Sequence, residues 1–178
     1  MNQETDKEVV VLAALFRNGV YSPIGYFPGL SGIYEHHFMT KTRGKTIVMG
    51  RKTWLSLPRP EILTASRDVI VLSRSPRFVC EGATVAQSLD EAVSIAFHDK
   101  VFIVGGMSLW YEAMEFADQA IVTLIIKDIE DKTDQLKAER LVTVPQYWKR
   151  FRFQDAVPTR DCIDDAFTDV RFLYWKAG

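Results

Sequence analysis

Three short stretches combine glycine, cations and hydroxyls as a phosphate site requires. The first is Val104-Gly105-Gly106-Met107-Ser108, a glycine pair between an apolar run and a helical one. Glycine lets backbone approach a ligand closely, and the N–H groups and positive dipole end of a helix start favour an anion. The second is Met49-Gly50-Arg51-Lys52-Thr53-Trp54, where two cations follow an apolar run and a glycine. The third is Leu72-Ser73-Arg74, a hydroxyl and a guanidinium just past another apolar run. A guanidinium presents a fork of donors suited to phosphate. Each stretch alone also reads as a glycine turn or a solvated loop charge. Combined, they put phosphate-competent groups at the ends of three strands, where open α/β sheets bind ligands.

The elements that must position these groups follow from the hydrophobic pattern. Continuous apolar runs rich in β-branched residues occur at 9–15, 46–49, 69–72, 101–104 and 120–126. Their length and composition predict strands buried on both faces. Helical spacing predicts helices over 33–42, 52–57 and 108–116, the last with Leu109, Ala113 and Phe116 on one side. Ser88-Leu89-Asp90-Glu91 is a capping box and opens a further helix to residue 96 or 97. Segments 147–153 and 170–175 mix aromatic and basic residues and read as an antiparallel pair at a sheet edge, joined by the polar stretch 154–165. The alternation predicts an α/β fold: a central, mainly parallel β-sheet with an antiparallel C-terminal edge and helices on both faces. Residues 1–8 read as a flexible N-terminal tail and 9–178 as a single domain.

Bulk properties exclude several classes. A net charge of -1 over 178 residues gives no footprint for nucleic acid. The two cysteines, Cys80 and Cys162, have neither zinc-site nor disulfide-scaffold spacing, so no metal is expected and both read as free thiols of a reducing cytosol. The polar, acidic start is neither a signal nor a transit peptide, and the apolar run 9–16 is too short to span a bilayer. The expectation is a cytoplasmic protein with a small-molecule substrate and neither a membrane nor a nucleic-acid partner.

The blocks that carry these signals resemble dihydrofolate reductase in residue type, order and spacing. They are 46–54 (Thr-Ile-Val-Met-Gly-Arg-Lys-Thr-Trp), 67–74 (Arg-Asp-Val-Ile-Val-Leu-Ser-Arg), 101–106 with Leu109 to Tyr111, and Ala117-Asp118 with Val122-Thr123. The resemblance implies a monomeric enzyme of that fold. It would reduce 7,8-dihydrofolate to 5,6,7,8-tetrahydrofolate with NADPH as cofactor. Gly50, Arg51, Lys52, Thr53, Ser73 and Arg74 would hold the adenosine 2′-phosphate and the pyrophosphate. Gly105, Gly106, Met107, Ser108 and Leu109 would form a second phosphate cradle, and Ala14 would lie near the nicotinamide. On the substrate side, Leu12, Phe38, Leu57 and Val104 would line the pocket. Arg67 would clamp the glutamate carboxylate of folate, and Thr123 would hydrogen-bond the pterin. By themselves, Arg67 also reads as a surface turn charge and Phe38 as core.

The resemblance breaks at the proton-handling group. The family places a carboxylate one helical turn before the aromatic matched by Phe38; here that position is Tyr34, and Glu35 follows it. One helical step rotates a side chain by about 100°, so Glu35 reaches the pocket only through a local shift, which Gly32 could absorb. The sequence reading therefore names Glu35 as the acid, with Tyr34 and Thr123 beside it. The competing arrangement keeps Tyr34 in the pocket and lets water deliver the proton. His36 and His37 are adjacent, and at least one is expected to be a surface residue. The loop 26–32 has Pro28-Gly29 where the family has Pro-Trp, Trp110 stands where the family has a tyrosine, and 127–140 lacks a Thr-Phe-Phe-Pro-like segment. Two other functions stay open: a reductase of this fold acting on another pterin or a ribosylamino-pyrimidine, and a non-catalytic NADPH-binding protein.

Overall fold

Alternate residues of an apolar strand face opposite ways, and in this chain both faces are covered. The computed structural model describes residues 7–16, 20–21, 31–125, 139–140, 151–158 and 170–178. Strand β1 (Glu8–Phe16) sends Val9, Val11 and Ala13 into one buried cluster and Val10, Leu12 and Ala14 into another. After β2 (Val20–Tyr21) come α1 (Ser31–Thr42), β3 (Thr46–Gly50), α2 (Arg51–Ser56), the short α3 (Glu61–Thr64) and β4 (Asp68–Leu72). The chain continues through β5 (Thr84–Ala86), α4 (Leu89–Ile95), β6 (Lys100–Gly105), α5 (Met107–Met114), β7 (Gln119–Ile125), β8 (Glu139–Arg140), β9 (Phe151–Pro158) and β10 (Val170–Ala177).

The sheet runs β5-β4-β3-β6-β1-β7-β10-β9, parallel from β5 to β7 and antiparallel at β10 and β9. Phe38 of α1, Trp54 of α2 and Leu63 of α3 pack on one face, while Leu89 and Val93 of α4 and Leu109 and Met114 of α5 pack on the other. This is the expected α/β arrangement. The capping box forms at α4: the Glu91 N–H donates to the Ser88 hydroxyl at 3.1 Å, and the Glu91 carboxylate accepts from the Gln87 N–H at 2.7 Å. The connection after α4 is tied down by Asp68, which accepts from the Thr46 hydroxyl and the Phe97 N–H.

Two expectations need correction. Glu8, assigned to a tail, opens β1, and the preceding Lys7 donates to the Ser94 and Ala96 carbonyls. The late hairpin's first strand runs 151–158, so polar residues read as a connecting loop are strand; at a sheet edge Arg152, Gln154 and Asp155 face water, which favours polar side chains. The short elements β2, β5, α3 and β8 carry too little pattern to be read from sequence. The loop 22–30, segment 126–138, Tyr147 to Arg150 and Cys162 lie outside the described residues.

Candidate active site

The phosphate-competent residues converge because three strand ends lie level. Strands β4, β3 and β6 are neighbours, with Gly50 opposite Leu72 and Met49 opposite Gly105. Helices α2 and α5 start immediately beyond two of these ends. Between them lies a cleft of about 710 Å³, within the range of roughly 300–1,000 Å³ common for ligand sites. Gly50, Arg51, Lys52 and Thr53 line it from β3 and α2, Ser73 and Arg74 from the end of β4, and Gly106, Met107 and Ser108 from the start of α5. Two further hydroxyls, Ser56 and Ser75, line it and were not anticipated. Ser56 follows Arg51 by more than one helical turn, and Ser75 follows Arg74 directly, so proximity to the named residues was the available signal.

The cleft floor is organised by backbone. Gly105 has φ +131°, a region side-chain-bearing residues rarely adopt, and the Gly105–Gly106 peptide is cis. A Cβ on Gly50 would meet Gly106 N at 3.8 Å and Gly105 O at 3.9 Å, ordinary contact, so the fold itself tolerates one there. Ser73 is buried; its N–H donates to the Ala86 carbonyl at 2.9 Å and its hydroxyl accepts from the Ser75 N–H at 3.2 Å. Arg51 lies over the Phe78 ring at 5.9 Å. Cations, hydroxyls and a helix start on one concave surface fit a multiply phosphorylated cofactor.

Three residues expected at the cofactor fall outside the cleft lining. Leu109 does not line the cleft: its side chain is buried in the core under α5, and its N–H donates to the Gly106 carbonyl at 3.0 Å. Its helix position turns it toward the sheet. Ala14 and Gly105 are also absent from the cleft lining; Ala14 lies in the core cluster beneath α1, beside Leu12.

That cluster holds the residues expected on the substrate side. It brings Leu12, Phe38 and Val104 together, with Leu57 packed against it. Arg67 is buried, not a surface charge. Its Nε–H donates to the Thr42 hydroxyl at 2.8 Å, one NH1 hydrogen to Ser66 Oγ at 2.8 Å, and NH2 to the Met39 carbonyl at 2.9 Å and Met39 Sδ at 3.2 Å. The guanidinium carbon lies 5.9 Å from the Phe38 ring centre. Thr42 is itself held by donating to the Phe38 carbonyl. Thr123 is fully buried, and its hydroxyl has no hydrogen-bond partner among the described residues.

The catalytic acid is the main correction. Glu35 is exposed, as is His36, whereas His37 and Phe38 are buried. α1 turns residues 37, 38 and 42 toward the sheet. Glu35 is not among them, so its carboxylate is solvated. The side chain of Tyr34 lies outside what is described, and its backbone occupies α1 one turn before Phe38. His37 was not singled out as buried, because its sequence neighbour His36 is of identical type and points to water.

The dihydrofolate reductase family model matches residues 34–147. The chain belongs to the dihydrofolate reductase family. It is 35% identical to dihydrofolate reductase type 3 of Salmonella typhimurium over 70% of this chain and 76% of that protein. It is 39% identical to dihydrofolate reductase of Mycobacterium tuberculosis over 50% of this chain, spanning only 53% of that relative. A dihydrofolate reductase from Enterococcus faecalis, solved with NADP(H) and RAB-propyl, superposes with a TM-score of 0.73 over 96% of both chains at 21% identity, which bears on the fold. Membership in this family makes the chain an NADPH-dependent oxidoreductase.

Proposed function

We propose that this chain reduces 7,8-dihydrofolate to 5,6,7,8-tetrahydrofolate, and that the residues assembled above divide the work. Arg51, Lys52 and Arg74 neutralise the cofactor phosphates, and the hydroxyls of Thr53, Ser73 and Ser108 direct them. Bound NADPH supplies the hydride that reaches C6 of the substrate. Leu12, Phe38 and Val104 pack the heterocycle and exclude water, while Ala14, small and buried, leaves room for the nicotinamide. Arg67 receives the glutamate carboxylate of the tail. A proton must reach N5; with Glu35 in solvent and no carboxylate at sequence position 34, water delivers it.

The observation that carries folate as substrate is Arg67. A buried guanidinium fixed by Thr42 and Met39 beside Phe38 suits a carboxylate-bearing substrate. The replacement of the family carboxylate by Tyr34 favours a second reading, reduction of another pterin lacking the acidic tail. Following NADPH consumption with dihydrofolate, and then with a dihydropterin without the glutamate, separates them. Turnover of dihydrofolate with a lower KM supports the first reading; turnover of the tail-less pterin alone supports the second. We also take the chain to act as a monomer in the cytoplasm.

A further inference from the structure

Helix α1 buries one polar side chain that the proposed chemistry leaves unused. His37 is 9% exposed and stacks on Phe172 of β10, ring centres 3.7 Å apart at 18°. Its Nε2 lies 3.3 Å from the Tyr174 hydroxyl. Its Nδ1 is buried without a hydrogen-bond partner among the described residues. Phe172 is the cross-strand partner of Thr123, whose hydroxyl is likewise buried and unpaired, and the other neighbour of Thr123 is Ala14 of β1. Two orphaned polar atoms thus flank one aromatic ring on the sheet face covered by α1. Buried polar groups are almost always paired, so two together at the substrate wall point to a ligand that completes them.

We propose that His37 Nδ1 and Thr123 Oγ1 jointly hydrogen-bond one polar edge of the substrate heterocycle, directly or through one water, so that His37 orients the ring in place of the family carboxylate. This rests on the proposed reduction of a dihydropterin ring. The chemistry suits an edge that alternates carbonyl and N–H groups. When the Tyr174 hydroxyl donates to Nε2, Nδ1 carries the hydrogen and donates; when Nε2–H donates to Tyr174, Nδ1 accepts. A carboxylate could only accept. The ring stays neutral at working pH, because burial, Lys41 and His36 all disfavour its charged form. Lys41 sits over the Tyr174 ring, its ammonium 5.1 Å from the ring centre.

The test is a binding cycle on the full chain with dihydrofolate and, separately, NADPH. His37→Phe keeps an aromatic ring to stack on Phe172 and removes both nitrogens; His37→Leu substitutes if that variant does not fold. Thr123→Val keeps shape and removes the hydroxyl. Each single change should raise the dihydrofolate Kd about tenfold, the scale of one lost hydrogen bond, and leave the NADPH Kd within about twofold. The double variant should lose less than the product of the two, because both atoms serve one edge. His37→Gln, which retains an N–H, should recover part of the affinity. Dihydrofolate binding unchanged in the apolar variant, equal weakening of both ligands, or fully multiplicative losses would overturn the proposal. Wild-type chain that binds no dihydrofolate would instead overturn the substrate assignment, and this inference with it.

Discussion

Arg67 offers the sharpest test of how the site is divided. Its guanidinium has five N–H donors, and four contacts occupy Thr42, Ser66 and the Met39 carbonyl and thioether. One NH1 hydrogen is left, and the NH2 hydrogen on the Met39 sulfur engages only a weak acceptor. A carboxylate can take both at little loss, giving a two-pronged, charge-assisted pair. Such bonds contribute about 1.5–3 kcal/mol each, so Arg67→Ala should raise the dihydrofolate Kd by roughly a hundredfold or more. Arg67→Lys keeps the charge but loses the fork and should fall between. The same variants should bind NADPH normally, because the cofactor cleft lies beyond the opposite end of β4. Thermal melting should show a loss of about 1–3 kcal/mol, since the Met39 carbonyl and Thr42 hydroxyl lose a donor. Isothermal titration with dihydrofolate and with a tail-less dihydropterin reads the answer. Equal weakening of both substrates, or a lost NADPH affinity, would refute the reasoning.

Cofactor choice should follow the cations: NADPH should bind on the order of a hundredfold tighter than NADH, with Arg74→Ala or Arg51→Ala eroding the preference, and equal affinities would remove these residues from the 2′-phosphate. The α4 cap predicts that Ser88→Ala lowers unfolding free energy by about 1 kcal/mol in a urea titration, whereas Ser88→Asp stays close to wild type. Burial holds His37 near a pKa of about 4 against an ordinary 6.5. Between those values the unfolded chain binds a proton the native chain refuses, so stability falls as pH drops through that window. The whole shift is worth at most about 3 kcal/mol; a melting series from neutral to acid pH should show a shallower slope in His37→Phe, and an unchanged slope would contradict the burial. Because Glu35 is solvated, Glu35→Gln should leave hydride transfer near the wild-type rate, and a loss of about a hundredfold would return it to the pocket. Without a pocket carboxylate, protonated diaminopyrimidines should bind about 3–5 kcal/mol more weakly than an ion-paired complex allows, and nanomolar inhibition would argue against a neutral pocket.

The strands and the phosphate-competent residues were legible in the chain because their signals are local. Apolar runs such as 101–104 can only be buried on both faces, and Gly105-Gly106 or Gly50-Arg51 mark where a strand must give way to a helix. The α4 cap is local too: Ser88 and Glu91 close it within one turn. What the tertiary structure decided is which of several equivalent side chains is taken out of water. Glu35, His36 and His37 are consecutive polar residues, and only the placement of α1 against β10 buries the third under Phe172 and Tyr174. Arg67 reads as a loop charge until Thr42 and Met39, more than twenty positions earlier, supply its partners. Leu109 shows the converse: beside a glycine pair it resembled a cradle residue, yet the α5 packing angle spends it in the core. Hydrophobic periodicity specifies the elements, but a side chain's desolvation depends on neighbours remote in sequence, and that is where the chemistry of this site was set.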